Sequence, residues 1–226
     1  MIKIILISSL LYFLSYPADP VSVDFHYEKE ISAVEIYTQL EQQLEKPPRI
    51  EVIDFALKGW YKMRTETEST ILTIIDFSLP STDKRLWIID LEENEILLNT
   101  LVSHGRNSGE LFATSFSNKP ESYQSSLGFY KTGETYYGKH GYSLRLDGLE
   151  KGFNDEARNR AIVIHGADYA REEFAIQTGR LGRSLGCPAI PKELSKEVID
   201  HIKDGSLLLI YAEQANYLNN SLFGQP

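Results

Sequence analysis

Ala161-Ile162-Val163-Ile164-His165-Gly166 is the stretch on which the reading of the fold turns. Four apolar residues in a row fit a strand buried on both faces, and the run ends on an imidazole followed by a residue with no side chain. A histidine is therefore expected where a central strand leaves its sheet, a position that opens on a cleft. Working outward, Ile71 to Phe77, Arg85 to Leu91 and Glu95 to Val102 are short runs rich in Ile, Leu and Trp, divided by Pro80-Ser81-Thr82-Asp83 and by Glu93-Asn94. They predict consecutive antiparallel strands. Leu127 to Lys131, Tyr142 to Leu146 and Ser206 to Ala212 add three more, and Pro191 to Lys203 carries the start signal and period of a helix.

Two segments between these runs are unlike simple turns. Ser103 to Ser126 is long and polar, with Gly105, Asn107, Gly109, Asn118 and Pro120 among its serines, the kind of ordered loop that often carries function. Tyr136, Tyr137, Gly138, His140, Gly141 and Tyr142 read as a mobile flap. Upstream, Ile31, Val34, Tyr37, Leu40 and Leu44 recur at helical spacing until Pro47-Pro48, and Ile53, Ala56, Leu57 and Trp60 form a second stripe. The expectation is a mainly β, α+β domain over residues 68–212, preceded by a helical pair at 28–64 and followed by a flexible Asn-rich tail at 213–226.

Residues 1–20 pair a charged start, Met1-Ile2-Lys3, with an apolar run from Ile4 to Tyr16 and the turn Pro17-Ala18-Asp19-Pro20. This is the pattern of a secretory signal, and the run is shorter than the roughly 20 residues of a membrane-spanning helix. An exported protein of the periplasm or cell envelope, with no membrane span after signal removal, is expected. The chain has 23 basic and 32 acidic residues, a formal charge of −9, and no cluster of Lys and Arg, which argues against a nucleic-acid partner. Its five histidines show no zinc-ligand spacing and there is no second cysteine, so no metal site is expected.

Cys187 is the only cysteine, in Gly182-Arg183-Ser184-Leu185-Gly186-Cys187-Pro188, and it follows His165 by 22 positions. It cannot form an internal disulfide, so the thiol is either buried and inert or kept for chemistry. Thiolate is the nucleophile, and an imidazole close by can take the proton. Glycine before and proline after Cys187 constrain the backbone, making the amides of Gly186 and Cys187 candidates for an oxyanion hole. Gly166 has no side chain to orient the imidazole, so a backbone carbonyl has to do it.

Ile164-His165-Gly166 followed by Ser184-x-Gly186-Cys187 resembles the signature of the YkuD-type L,D-transpeptidases, cysteine enzymes that cross-link peptidoglycan. Val102-Ser103-His104-Gly105 and Ser126-Leu127-Gly128-Phe129 stand in the places of that family's glycine turn and of its Thr-Pro-x-Gly-x-Phe strand. Leu185 replaces the histidine of the usual Ser-His-Gly-Cys, and Pro188-Ala189 replaces a hydrophobic residue followed by Asn or Arg. The resemblance implies a β-sandwich with a long cleft-lining loop and a C-terminal helix. It implies Cys187 as nucleophile, His165 as base, the Gly166 carbonyl as orienting group, and Ser184 and Gly186 as the loop shaping the oxyanion site. It also implies peptidoglycan stem peptides as partners, covalent capture by carbapenems, and no cofactor. Arg183, Arg160 and Arg180 are then carboxylate clamps or solvated surface charges, with Ser126, Gly128, His104 and Tyr137 as further substrate-side candidates; for His104 a structural role is the competing reading. Transfer to an amine, hydrolysis by an L,D-carboxypeptidase, and a non-catalytic wall-binding protein remain open on sequence.

Overall fold

In the computed structural model, which describes residues 30–224, the chain begins with a reciprocally capped helix. The Ser32 hydroxyl accepts from the Glu35 amide at 3.2 Å and the Glu35 carboxylate accepts from the Ser32 amide at 2.9 Å, which satisfies two otherwise orphaned donors. The elements in order are α1 (Ala33–Gln43), α2 (Ile50–Met63), β1 (Ile71–Asp76), β2 (Leu86–Asp90), β3 (Glu95–Thr100), β4 (Gly128–Gly138), β5 (Gly141–Gly148), β6 (Val163–Ala167), α3 (Glu172–Thr178), β7 (Ala189–Pro191), α4 (Ser195–Ile202), β8 (Leu207–Tyr211) and α5 (Ala215–Asn220). Residues 1–20, read as an export signal, lie outside the described residues. Among the described residues no helix is long and apolar enough to cross a membrane.

The protein has the expected mainly β, α+β class. All eight strands join in one continuous sheet, ordered β3-β2-β1-β8-β4-β5-β6-β7, rather than in two separately bonded sheets. Neighbours are antiparallel except β1 with β8 and β6 with β7. The run Leu207-Leu208-Leu209-Ile210-Tyr211 is buried throughout because β8 lies between β1 and β4 and is covered on both faces. Val198, Ile199 and Ile202 on one stripe of α4, and Val52, Ile53, Ala56 and Leu57 of α2, enter the same hydrophobic cluster as the strands.

Three sequence expectations change. β6 runs through His165 to Ala167, so the histidine sits within the strand, paired with Ser143 on one side and Ala189 on the other. Nor is β6 central: it lies next to β7, a three-residue edge strand too short to leave a periodic signature. The stretch 213–226, read as a flexible tail, contains α5 in its described part, and Tyr217 is buried.

That last segment is held by a buried carboxylate. Glu150, 1 % exposed, accepts from the Phe129 amide and the Tyr217 hydroxyl at 2.8 Å each and from the Ser221 hydroxyl. The Glu150→Ala variant leaves those three buried donors unpaired and is expected to lower unfolding stability by about 3 kcal/mol. Urea unfolding checks this; a loss of less than about 0.5 kcal/mol, the usual range of a neutral surface change, would contradict it.

Candidate active site

His165 is 2 % exposed, and its Nδ1 lies 3.0 Å from the Gly166 carbonyl oxygen. A carbonyl can only accept, so Nδ1 carries the proton and Nε2 is left as the basic nitrogen. Over its face lies the ring of His140, centroid to centroid 4.3 Å with 25° between planes. Burial first, and then the charges of His140 and Lys139, push the His165 imidazole below the usual histidine range, against the opposing effect of the Gly166 hydrogen bond. The ring is held neutral and oriented.

Cys187 sits two residues before β7, half-buried, with Sγ 3.8 Å from the Ala161 carbonyl oxygen. Burial raises the thiol above the ordinary cysteine range, and the positive charges of Arg160 and Lys139 act in the other direction. Ser184 shapes the turn that presents it: its hydroxyl accepts from the Gly186 amide at 3.0 Å and donates to the Cys187 carbonyl at 2.6 Å. Gly186 has φ +126, and a Cβ there would meet the Gln124 carbonyl at 2.9 Å, so only glycine fits. Of the two amides proposed from sequence for an oxyanion hole, that of Gly186 is thus occupied by Ser184. The Cys187 amide remains.

The long loop between β3 and β4 is the cradle for this turn. Backbone pairs join Ser103 to Ala189 (2.7 and 3.3 Å), His104 to Ser184 (3.0 Å) and Arg106 to Ser184 (2.8 Å), and the Ser125 hydroxyl donates to the Gly186 carbonyl at 3.1 Å. Arg160 staples the loop from the far side, donating to the carbonyls of Ser117 and Gln124 at 2.7 Å each and to the hydroxyls of Ser122 and Ser126. All four partners are uncharged.

A cleft of about 400 Å³ brings these groups together. Cys187, His165, Arg160, Arg183 and Ser184 line it, along with Leu185 at the position of the missing histidine. Among the described residues no aspartate or glutamate is in its wall, whereas Lys139, Arg160 and Arg183 are. Arg183 is offset by Glu110 at 2.6 Å. Tyr169, also in the wall, has its hydroxyl pushed up to about 12, by burial and then by the Cys187 charge.

Matching of the sequence to known families gives the L,D-transpeptidase catalytic domain over residues 44–211. The chain belongs to this family. The match covers most of the chain and includes both His165 and Cys187. No curated protein matches. Among solved structures the chain is similar to an L,D-transpeptidase from Mycobacterium smegmatis, at 13 % identity over 64 % of this chain and 59 % of that one, with a TM-score of 0.39. It is also similar to an L,D-transpeptidase from Stackebrandtia nassauensis, at 15 % identity over 74 % and 67 % of the two chains and a TM-score of 0.39. A third is LdtMt1, an LD transpeptidase in complex with imipenem, at 11 % identity, 63 % and 59 % coverage and a TM-score of 0.39.

Several residues drawn from the family pattern are not in the cleft wall. His104 is buried, with Nδ1 accepting from Arg85 at 2.8 Å and Nε2 facing the Gly109 carbonyl at 3.2 Å, and burial followed by the Arg85 charge pushes it down to about 4. It is a neutral structural histidine that braces the cradle. Ser126 donates to Ser117 and accepts from Arg160, and Gly128 begins β4 against Asn154 and Glu150. Arg180 pairs with Glu110 at 2.9 Å and donates to the Leu181 carbonyl at 2.8 Å. Tyr137 is 81 % exposed and packs on Tyr142, while Tyr136 lines the cleft, because neighbours on a strand point to opposite faces. The flap is the β4–β5 hairpin itself. Lys139 and Tyr169 carry no motif; a two-residue tip between Gly138 and Gly141 is the signal that places Lys139.

Since thiolate is the reactive form and burial raises the thiol, alkylation of Cys187 by iodoacetamide is expected to keep rising with pH beyond the point where a free cysteine peptide levels off. A rate already constant in mild acid would instead mean a thiolate–imidazolium pair in the resting protein, and would contradict this electrostatic account.

Proposed function

We propose that the chain is a cysteine acyltransferase acting on peptidoglycan stem peptides in the cell envelope, to which residues 1–20 direct it, and that it needs no cofactor. The observation that carries this reading is that the one thiol and a buried, carbonyl-tethered imidazole line a single cleft. The electrostatics fit an unionised resting pair, thiol beside neutral imidazole. As Sγ of Cys187 attacks the carbonyl carbon of the amide before the terminal D-alanine, Nε2 of His165 takes the thiol proton. It then delivers that proton to the departing amine, leaving an acyl thioester and free D-alanine. An amine from a neighbouring stem attacks the thioester, its proton passes to His165, and the sulfur leaves and recovers a proton. The Gly166 carbonyl keeps the imidazole in the tautomer that can do both.

The remaining wall suits such a substrate. Stem peptides carry carboxylates, and a cleft whose described lining has three cations and no acid attracts them although the chain as a whole is at −9. Arg160 has only neutral partners, so its charge has no ion-pair partner, whereas Arg183 is answered by Glu110. The Cys187 amide is the donor for the developing oxyanion, and Leu185 contributes an apolar surface where the family has a side-chain donor.

Incubation with a carbapenem followed by intact-mass measurement is expected to show one covalent adduct on the parent chain and none on Cys187→Ala. The His165→Ala variant should acylate roughly a hundredfold to ten-thousandfold more slowly, the contribution usual for positioned proton transfer. On wall fragments bearing tetrapeptide stems, 3→3 cross-linked dimers are the expected product. Release of D-alanine without dimers would replace transfer by hydrolysis, and an adduct on Cys187→Ala would remove the proposed nucleophile.

A further inference from the structure

β4 and β5 pair down to Gly138 opposite Gly141, which leaves Lys139 and His140 as a two-residue tip. Gly141, at φ +78, supplies the left-handed residue that closes so short a hairpin. The tip is exposed except where the His140 ring lies on His165, and the His140 side chain makes no hydrogen bond to any described residue. The hairpin behind it is fixed: Tyr137 packs on Tyr142 with centroids 5.3 Å apart, and the Tyr142 hydroxyl donates to Asp200 of α4 at 3.0 Å. A rigid arm thus lays one imidazole over the other.

The geometry points to His140 as a positioning residue: stacked on His165, it holds the plane of the base, covers it from water, and makes the two rings share one proton instead of taking two. This rests on the acyl transfer through Cys187 and His165 proposed above. The second edge of the base is tied to Gly166, so the stacked face is the route by which water or another charge would reach it. Two imidazolium ions whose centroids stand 4.3 Å apart repel strongly once partly desolvated, so such a pair titrates as a unit. Sharing the cleft wall with the pair are Lys139 at the same tip, Tyr136 of β4, Tyr169 after β6, Arg160, Arg183 with its partner Glu110 behind it, and the Cys187 thiol, with no carboxylate among the described residues of the wall to favour a second proton. The histidine that the family carries beside the cysteine is Leu185 in this chain, and His140 provides a second imidazole from the opposite side of the chain's topology, on the hairpin instead of the cysteine turn.

The test uses the full-length protein labelled in its histidine rings, as parent, His140→Ala and His140→Phe. Ring NMR titrations and the pH profile of carbapenem acylation are recorded on each. In His140→Ala the base becomes wetter and loses a repelling neighbour. Its titration, and the acid limb of acylation, should move together to higher pH, with acylation several-fold slower on the acid side of neutrality. In His140→Phe, which keeps a covering ring without a charge, the titration should fall between the other two, with recovered rate. Unchanged His165 titration in His140→Ala would overturn the inference and leave the nucleophile reading intact. The titration needs no turnover, so it decides the role of His140 even if the parent fails to acylate, an outcome that would count against the proposed reaction instead.

Discussion

A single hydroxyl sets the turn on which the cleft depends. Ser184 closes the backbone on itself, accepting from the Gly186 amide and donating to the Cys187 carbonyl, and thereby determines where the sulfur stands and which amide is left free beside it. Cys187 packs against the edge of the hydrophobic core. The rigidity of the turn comes from the long loop after β3, whose backbone adds ladder-like bonds from Ser103, His104 and Arg106, and from Arg160, which binds four points of that loop at once. Buried polar networks of this kind hold a unique geometry only when every member is satisfied. The neutral state of His104 belongs to the same logic, since only a neutral ring can accept from Arg85.

On the electrostatic side, the cleft departs from the rest of the molecule. In an acidic chain, no carboxylate of the described residues enters this one wall, which holds Lys139, Arg160 and Arg183. Burial displaces the thiol upward and the imidazole downward, and the nearby positive charges oppose the first shift and reinforce the second. The two shifts separate the affinities of the two groups so that the proton rests on sulfur.

Legibility from sequence followed the range of the interactions involved. Strands β1, β2, β3 and β8 and helix α4 announce themselves locally, the strands as short apolar runs bounded by turn residues and the helix by its 3.6-residue stripe. The order of strands does not: β8, last of the strands in the chain, inserts between β1 and β4, and only pairing of distant segments puts it there. β7 is too short for any period, and α5 looks like a polar tail because its six residues are too few for a stripe: Tyr217 packs on Phe55 and Phe153, and Glu150 takes its hydroxyl. Among the site candidates, His104 and Ser126 take buried polar partners away from the cleft, Arg180 pairs with Glu110, Tyr137 stacks on Tyr142 at the surface and Gly128 begins β4; none of these placements has a local sequence signal.

What the sequence by itself determined is the chemistry available: one thiol, one histidine at the end of an apolar run, the Ser-x-Gly-Cys-Pro turn, and through them the L,D-transpeptidase family. Tertiary structure alone decided how that chemistry is tuned. It carried His140 across from a hairpin tip to cover His165, gave the Gly186 amide to Ser184, and gathered cations without acids around the sulfur. Covalent composition is inherited residue by residue, whereas proton affinity and orientation belong to whatever the folded chain places within a few ångströms.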